Sequence, residues 1–194
     1  MTFYLLNVFI YTEWPYSPED FARMDESDDD IFYEQPRLVY HIDDPAVSAL
    51  TEYYGKAFKE GDDVLDICSS WVSHYPPEWK GGKSVVGLGM NEYELSQNKQ
   101  LTSFVVKDLN KDPIFPFGTF LALTQFFFVY CVGTTLTVLH LLNSTRHYTD
   151  DESFDKVTCV VSIDYLNKPL EVVKEIGRVL RPGGECILSM SNRW

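Results

Sequence analysis

The run Leu180-Arg181-Pro182-Gly183-Gly184, followed by Glu185-Cys186-Ile187-Leu188-Ser189-Met190, restricts this chain more than any other stretch. Pro182 cannot continue a helix, and Gly183 or Gly184 can take positive φ, so a helix must stop here and turn tightly. The helix in question runs from Pro169 to Leu180, with Leu170, Val173, Ile176, Val179 and Leu180 on one face. Strand-like apolar runs flank it, Phe154 to Val161 before and Glu185 to Met190 after. Strand, helix, tight turn and strand in succession argue for an α/β layered fold with a largely parallel sheet.

The upstream chain repeats this grammar. Asp43-Asp44-Pro45 opens a helix with an acidic N-cap and a proline in the first turn. Val47, Leu50, Tyr54, Ala57 and Phe58 follow at helical spacing, and Gly61 ends the helix. Strands are then expected at about 63–68, 84–88 and 102–107, with Asn91 and Glu94 as a capping pair on a brief helix between the last two. Before residue 44 the chain reads as an irregular acidic N-terminal segment, 1–43, with the acidic run Asp25-Glu26-Ser27-Asp28-Asp29-Asp30 as a solvated loop. Residues 44–194 form the expected domain.

Composition narrows the function. A length of 194 residues suits one domain with a full core. A formal net charge of -13 argues against a nucleic-acid partner, which needs clustered Lys and Arg. The four cysteines, Cys68, Cys131, Cys159 and Cys186, form no C-x-x-C pair and sit mostly in apolar surroundings. They read as free thiols in a reducing compartment. Met1 to Tyr11 is apolar without a basic start or a small-residue cleavage site, unlike a signal peptide. His41, Asp43 and Asp44 could mimic a metal cluster, but the two acids serve the helix start, so no metal is expected. His74, beside Pro76 and Pro77, reads as a surface residue.

One segment interrupts the pattern. From Pro113 to Thr145 there is no Asp, Glu, Lys or Arg. Roughly twenty apolar residues suffice to cross a bilayer, so 118–142 has the length and polarity of a span. Its β-branched and aromatic content suits buried strands equally. A span would place two neighbouring strands on opposite sides of a membrane. Three readings stay open for 118–149: translated non-coding sequence, a genuine apolar insertion, and a membrane span that would make the protein membrane-associated.

The Phe154 to Met190 pattern, at this spacing, resembles the second half of a class I S-adenosylmethionine (SAM)-dependent methyltransferase domain of type 11. The resemblance covers roughly Asp62 to Met190, outside the insert. Asp66-Ile67-Cys68-Ser69-Ser70-Trp71-Val72-Ser73-His74 and Gly87-Leu88-Gly89-Met90-Asn91-Glu92-Tyr93-Glu94-Leu95 look like the motifs of a divergent branch found in photosynthetic organisms. It implies a Rossmann-like, mostly parallel sheet with the 63–68 strand central, beside 154–161. The family's last two strands would be missing, as in a fragment, leaving the edge of 185–190 open. It also implies SAM as cofactor, bound beyond the strand ends by Asp66, Cys68, Ser70, Gly89, Asp108 and Ser162. Asp66 would support the loop or the methionine amine, outside the apolar core, and Asp108 would sit near the adenine amine. Ser162 falls where the family lines the cofactor and substrate cleft.

Two departures stand out. Cys68, Ser70 and Val72 occupy the family's loop glycines, and Gly89 occupies the place of its ribose-binding acid, with Glu92 the candidate substitute. The resemblance therefore implies methyl transfer to an unknown small-molecule or protein acceptor. The alternative is an inactive methyltransferase-fold binding module or an incomplete gene product.

Overall fold

A computed structural model describes residues 16–23, 27–117 and 153–190, and the strand backbone of 137–142. The central element is β1, Val64–Ile67, buried at every position. It lies between β2, Val85–Gly89, and β5, Phe154–Val160, and is parallel to both. Outside β2 lies β3, Ser103–Val106, and outside β5 lies β6, Leu180–Met190, again parallel. β4, Thr137–Leu142, pairs antiparallel with β6, giving the order β3-β2-β1-β5-β6-β4. The fold is α/β with a mostly parallel, Rossmann-like sheet. The central place of 63–68 beside 154–161 matches the expectation from sequence.

The strand alternation sends side chains to two separate cores. On one face Leu65, Ile67, Leu88, Val157 and Cys159 pack with Val172, Val173 and Ile176 of α4, Pro169–Val179. On the other, Val64, Val85 and Ile187 pack with Leu50 and Tyr54 of α2, Asp44–Ala57, and with Tyr75. α2 begins as its sequence dictates: the Asp43 carboxylate accepts the Ala46 N–H at 3.0 Å, with proline in the first turn. A short α1, Asp29–Tyr33, and α3, Glu92–Gln97, complete the helices used below.

At the turn that ends α4, Gly183 takes φ +81. The chain does not leave the sheet there. β6 starts at Leu180, opposite Phe154, and a register irregularity absorbs the turn before the regular ladder from Lys156–Glu185 onwards. Arg181 reaches Asp155 at 2.6 Å and Asp63 at 2.9 Å, tying three strands at the edge opposite the site described below.

Two expectations need correction. The outer edge of β6 is not open, because β4 covers it from Thr137 opposite Met190 to Leu142 opposite Glu185. Part of the apolar segment is thus sheet; residues 118–136 and 143–150 lie outside the described residues. No helix among the described residues is long and apolar enough to cross a membrane. His74 is not a surface residue: it is buried, at φ +59, with its ring 5.6 Å from that of Tyr40 and its carbonyl accepting the Thr51 hydroxyl.

Candidate functional site

The carboxyl ends of β1, β2, β3 and β5 open into one cavity of about 910 Å³. Asp66, Cys68, Ser70, Gly89, Asp108 and Ser162 all line it. A parallel sheet brings these distant positions together because its strand ends share one edge.

Asp66 ends β1 and is only 3% exposed. Its Oδ2 accepts the Ser69 hydroxyl at 2.7 Å and the Ser73 hydroxyl at 2.6 Å, and its Oδ1 accepts Thr158 Oγ1 at 2.8 Å. With the Thr158 proton so committed, the Tyr75 hydroxyl, 2.7 Å away, donates to Thr158. Asn98 Nδ2 donates to Ser73 Oγ and to the Ser70 carbonyl. Burial pushes the Asp66 carboxyl above its ordinary value, outweighing the three hydroxyls that pull it down. Asp66 does not project outside the core as expected from sequence. It is an interior anchor that holds the 69–73 loop through side-chain hydroxyls.

The loop itself is strained where a glycine would not be. Cys68 sits at φ +53, and Val161, just past β5, at φ +43. Non-glycine residues rarely adopt this region, β-branched ones least of all. Ser69 N–H donates to the Leu88 carbonyl at 2.9 Å, continuing the β1–β2 pairing by one step. This lays the Ser69 carbonyl over Gly89, so any Cβ at 89 would collide with backbone. No acidic side chain could occupy that position.

A carboxylate nevertheless lines the cavity near the end of β2. It belongs to Glu94, not Glu92, which is exposed. Glu94 is 6% exposed and accepts the Ser70 hydroxyl at 2.6 Å and the Arg37 N–H at 2.6 Å. Sequence reading had Glu94 as half of a capping pair. Asn91 does cap, accepting the Glu94 N–H at 3.0 Å, but the Glu94 side chain turns into the cavity instead of back to the helix. The usable signal was its place one turn beyond a strand end.

At the end of β3, Asp108 caps its own turn, accepting the N–H groups of Asn110 at 2.8 Å and Lys111 at 3.2 Å. Asp28, Asp30 and Asp108 come close enough to resemble a cation site. The Lys111 ammonium already sits among them, 2.8 Å from Asp28 and 3.8 Å from Asp108. Its pKa is raised, chiefly by the hydrogen bonds to Asp28 and Asp30. Ser162 donates its hydroxyl to the Val160 carbonyl at 2.8 Å, fixing the turn after β5.

Residues 28–42 form a roof that sequence reading did not foresee. Asn91 Nδ2 donates to the Tyr33 carbonyl, Trp71 Nε1 to the Val39 carbonyl, and Asn110 Nδ2 to Asp29. The Tyr40 ring lies 5.0 Å from that of Trp71. Burial, with Cys68, Asp29 and Glu94 nearby, pushes the Tyr33 phenol up to about 12.

Residues 68–188 match the family described as a methyltransferase domain, type 11. The chain belongs to this methyltransferase family. Its matched span begins at the strained Cys68 and ends within β6. A comparison with curated proteins finds no match. Among solved structures, the chain is similar to a chain of the Haloferax volcanii complex between the Trm112 methyltransferase activator and its proposed methyltransferase. That likeness has 19% identity, 76% of this chain and 55% of that one covered, and a TM-score of 0.45. It is also similar to a Mesorhizobium loti S-adenosylmethionine-dependent methyltransferase, at 14% identity, 72% and 51% coverage and a TM-score of 0.44. A Thiobacillus denitrificans SAM-dependent methyltransferase in complex with S-adenosyl-L-homocysteine gives 14%, 82%, 53% and 0.44 in the same order. The chain spans about half the length of these structures.

Proposed function

We propose that the cavity holds S-adenosylmethionine and that the chain transfers its methyl group to an acceptor entering beneath the 28–42 roof. The observation that carries this reading is one cavity, at four parallel strand ends, in a chain of the methyltransferase family. Its volume falls within the roughly 300–1,000 Å³ of ordinary ligand sites. Bound there, the cofactor would supply an electrophilic methyl group on a sulfonium.

In this reading the Cys68–Ser70 loop, held by Asp66, flanks the methionine end. Glu94 takes the ribose hydroxyls: a carboxylate has about four acceptor sites, and only two are used. Gly89 contributes space alone. The turn that Asp108 fixes flanks the adenine, and Ser162 borders the acceptor. Methyl transfer depends more on alignment than on a strong base, so this reading requires no dedicated base pair.

The domain reading belongs to the same proposal: 44–194 as the methyltransferase-like unit, with the insert at about 118–149, and a separate segment 1–43 whose residues 28–42 supply the roof. So do the photosynthetic branch, suggested by 66–74 and 87–95, and a cytoplasmic or plastid setting. The acceptor is a small molecule or a protein, and a chain of this net charge, -13, is poorly suited to nucleic acid.

A second reading, a scaffold that binds without turnover, is favoured by one observation: Cys68 at φ +53 stands where the family has a glycine. Calorimetric titration of dialysed protein with S-adenosylhomocysteine tests both. Binding is expected, and Glu94→Gln should weaken it about tenfold, the worth of a hydrogen bond to a charged group. Absence of binding would overturn both readings and leave an incomplete product. Binding without methyl transfer to any acceptor in a broad panel would favour the scaffold.

A further inference from the structure

The observations converge on a pair of cysteines, Cys68 lining the cavity and Cys159 in the core cluster it packs against. Cys68 is half-buried and lines the cavity, whereas Cys159 and Cys186 are fully buried. β1 and β5 are parallel neighbours in the register Asp66–Thr158. One further step sets Ile67 opposite Cys159, with Cys68 a residue beyond. From the strand spacing of about 4.8 Å and rise of about 3.3 Å, the two Cα atoms lie about 6 Å apart. A disulfide needs about 4.4–6.8 Å. In a regular strand Cys68 would share the face of Asp66. Its positive φ turns it instead onto the opposite face, where it packs against the cluster that contains Cys159. The Cys159 thiol is held well above its ordinary value, first by its contact with the Cys68 thiol and then by burial.

We propose that Cys68 and Cys159 are a redox modification site whose co-reactant is a small-molecule disulfide such as oxidised glutathione. The Cys68 thiolate attacks one sulfur of glutathione disulfide, forming a mixed disulfide and releasing one glutathione thiolate. Cys159 gives up its proton and attacks Cys68 Sγ; the protein disulfide forms and the second glutathione leaves. Two protein thiols lose two electrons, one glutathione disulfide gains them, and the two protons end on the two glutathione thiols. Cys68 is the entry point because, of the described cysteines, it lines the cavity. Cys159 is the resolving partner, slow because its thiolate is disfavoured.

The consequence for cofactor binding rests on the function proposed above, whereas the cysteine chemistry does not. Ser69 and Ser70 follow Cys68 directly and hold Asp66 and Glu94. Tying Cys68 to β5 therefore withdraws its thiol from the cavity and locks the loop at the methionine end.

The test treats the full-length reduced protein with oxidised glutathione, followed by alkylation, digestion and peptide mapping. The expected product is a single cross-linked peptide pair joining 68 and 159, with the loss of two hydrogens by mass. Cys159→Ser should stop at a glutathione adduct on Cys68. A cross-link of Cys159 to Cys186, or none while oxidised glutathione oxidises the urea-unfolded chain normally, would overturn the assignment. Affinity for S-adenosylhomocysteine is measured on both forms. The oxidised form should bind about tenfold or more weakly, with recovery in dithiothreitol. Equal affinity would overturn the regulatory consequence. A reduced protein that fails to bind at all would refute the cofactor reading and leave the cross-link result standing.

Discussion

Replacing Asp66 with asparagine tests whether the loop at the cavity is held by a buried carboxylate. The residue is 3% exposed and accepts three hydroxyls, two on Oδ2 and one on Oδ1. Asparagine keeps the shape but offers one acceptor oxygen. At least one hydroxyl must then face an amide N–H, or both Ser69 and Ser73 lose their partner. Each hydrogen bond to a charged group is worth about 1.5–3 kcal/mol, offset in part because the variant no longer buries a charge. A net loss of about 2 kcal/mol is expected, or about 4–8 °C in Tm for a chain of this size. The pH dependence gives a second, sharper reading. Burial raises the folded-state pKa of Asp66, so the folded chain binds this proton more tightly than the unfolded chain. Stability from this group therefore rises as pH falls through the folded pKa. The gap between wild type and Asp66→Asn subtracts all other carboxylates and should widen from neutral to mildly acidic pH. Urea titrations at several pH values measure it. A gap that narrows on acidification would mean the hydroxyls outweigh burial, and no gap at neutral pH would mean that the carboxylate does not hold the loop.

Cys68→Gly and Val161→Gly should each relieve a strained positive φ worth about 1 kcal/mol or more, raising Tm; a fall in both would show that side-chain packing outweighs the backbone term. Arg178→Ala should cost about 3–5 kcal/mol in urea denaturation. It strips buried Glu175 of its counter-ion, leaving it the Phe115 N–H, and releases the carbonyls of Phe115 and Phe117 at the start of the apolar segment. Deleting 118–149 should promote association visible by light scattering. It removes β4 and exposes the backbone of β6 from Glu185 to Met190. A monodisperse deletion variant of unchanged stability would contradict this.

The parallel core was legible because its signals are local. Asp43 and Pro45 announce α2, the 180–184 run announces the end of α4, and the buried strands are short apolar runs between them. β4 was legible only as one of two readings, a buried strand or a membrane span: its segment carries no charge punctuation, and its partner β6 lies more than forty residues away. Site residues were legible only through the family resemblance laid on the strand ends. It named six positions that line the cavity but not which way each side chain turns. Asp66 turns inward because three hydroxyls from residues 69, 73 and 158 converge on it, and no spacing rule links those positions. Glu94 was hidden for a similar reason, since its capping signature is real and its cavity-facing side chain depends on Ser70 and Arg37.

The departures from the family's motif are linked by backbone geometry. A glycine-rich loop leaves room by lacking side chains, whereas this loop is fastened by them: Ser69 and Ser73 to Asp66, and Ser70 to Glu94. The fastening, together with the Ser69–Leu88 bond, draws the loop over the end of β2 and sets the Ser69 carbonyl against position 89. Glycine is then required at 89, and an acid there becomes impossible. The next carboxylate that can reach the cavity is on the first turn of α3, at Glu94, where Ser70 already holds it in place. The side-chain fastening of this loop and the exclusion of an acid from position 89 are thus one structural feature. A reversal confined to position 89 would insert a side chain into a backbone contact without restoring the space that a glycine loop provides.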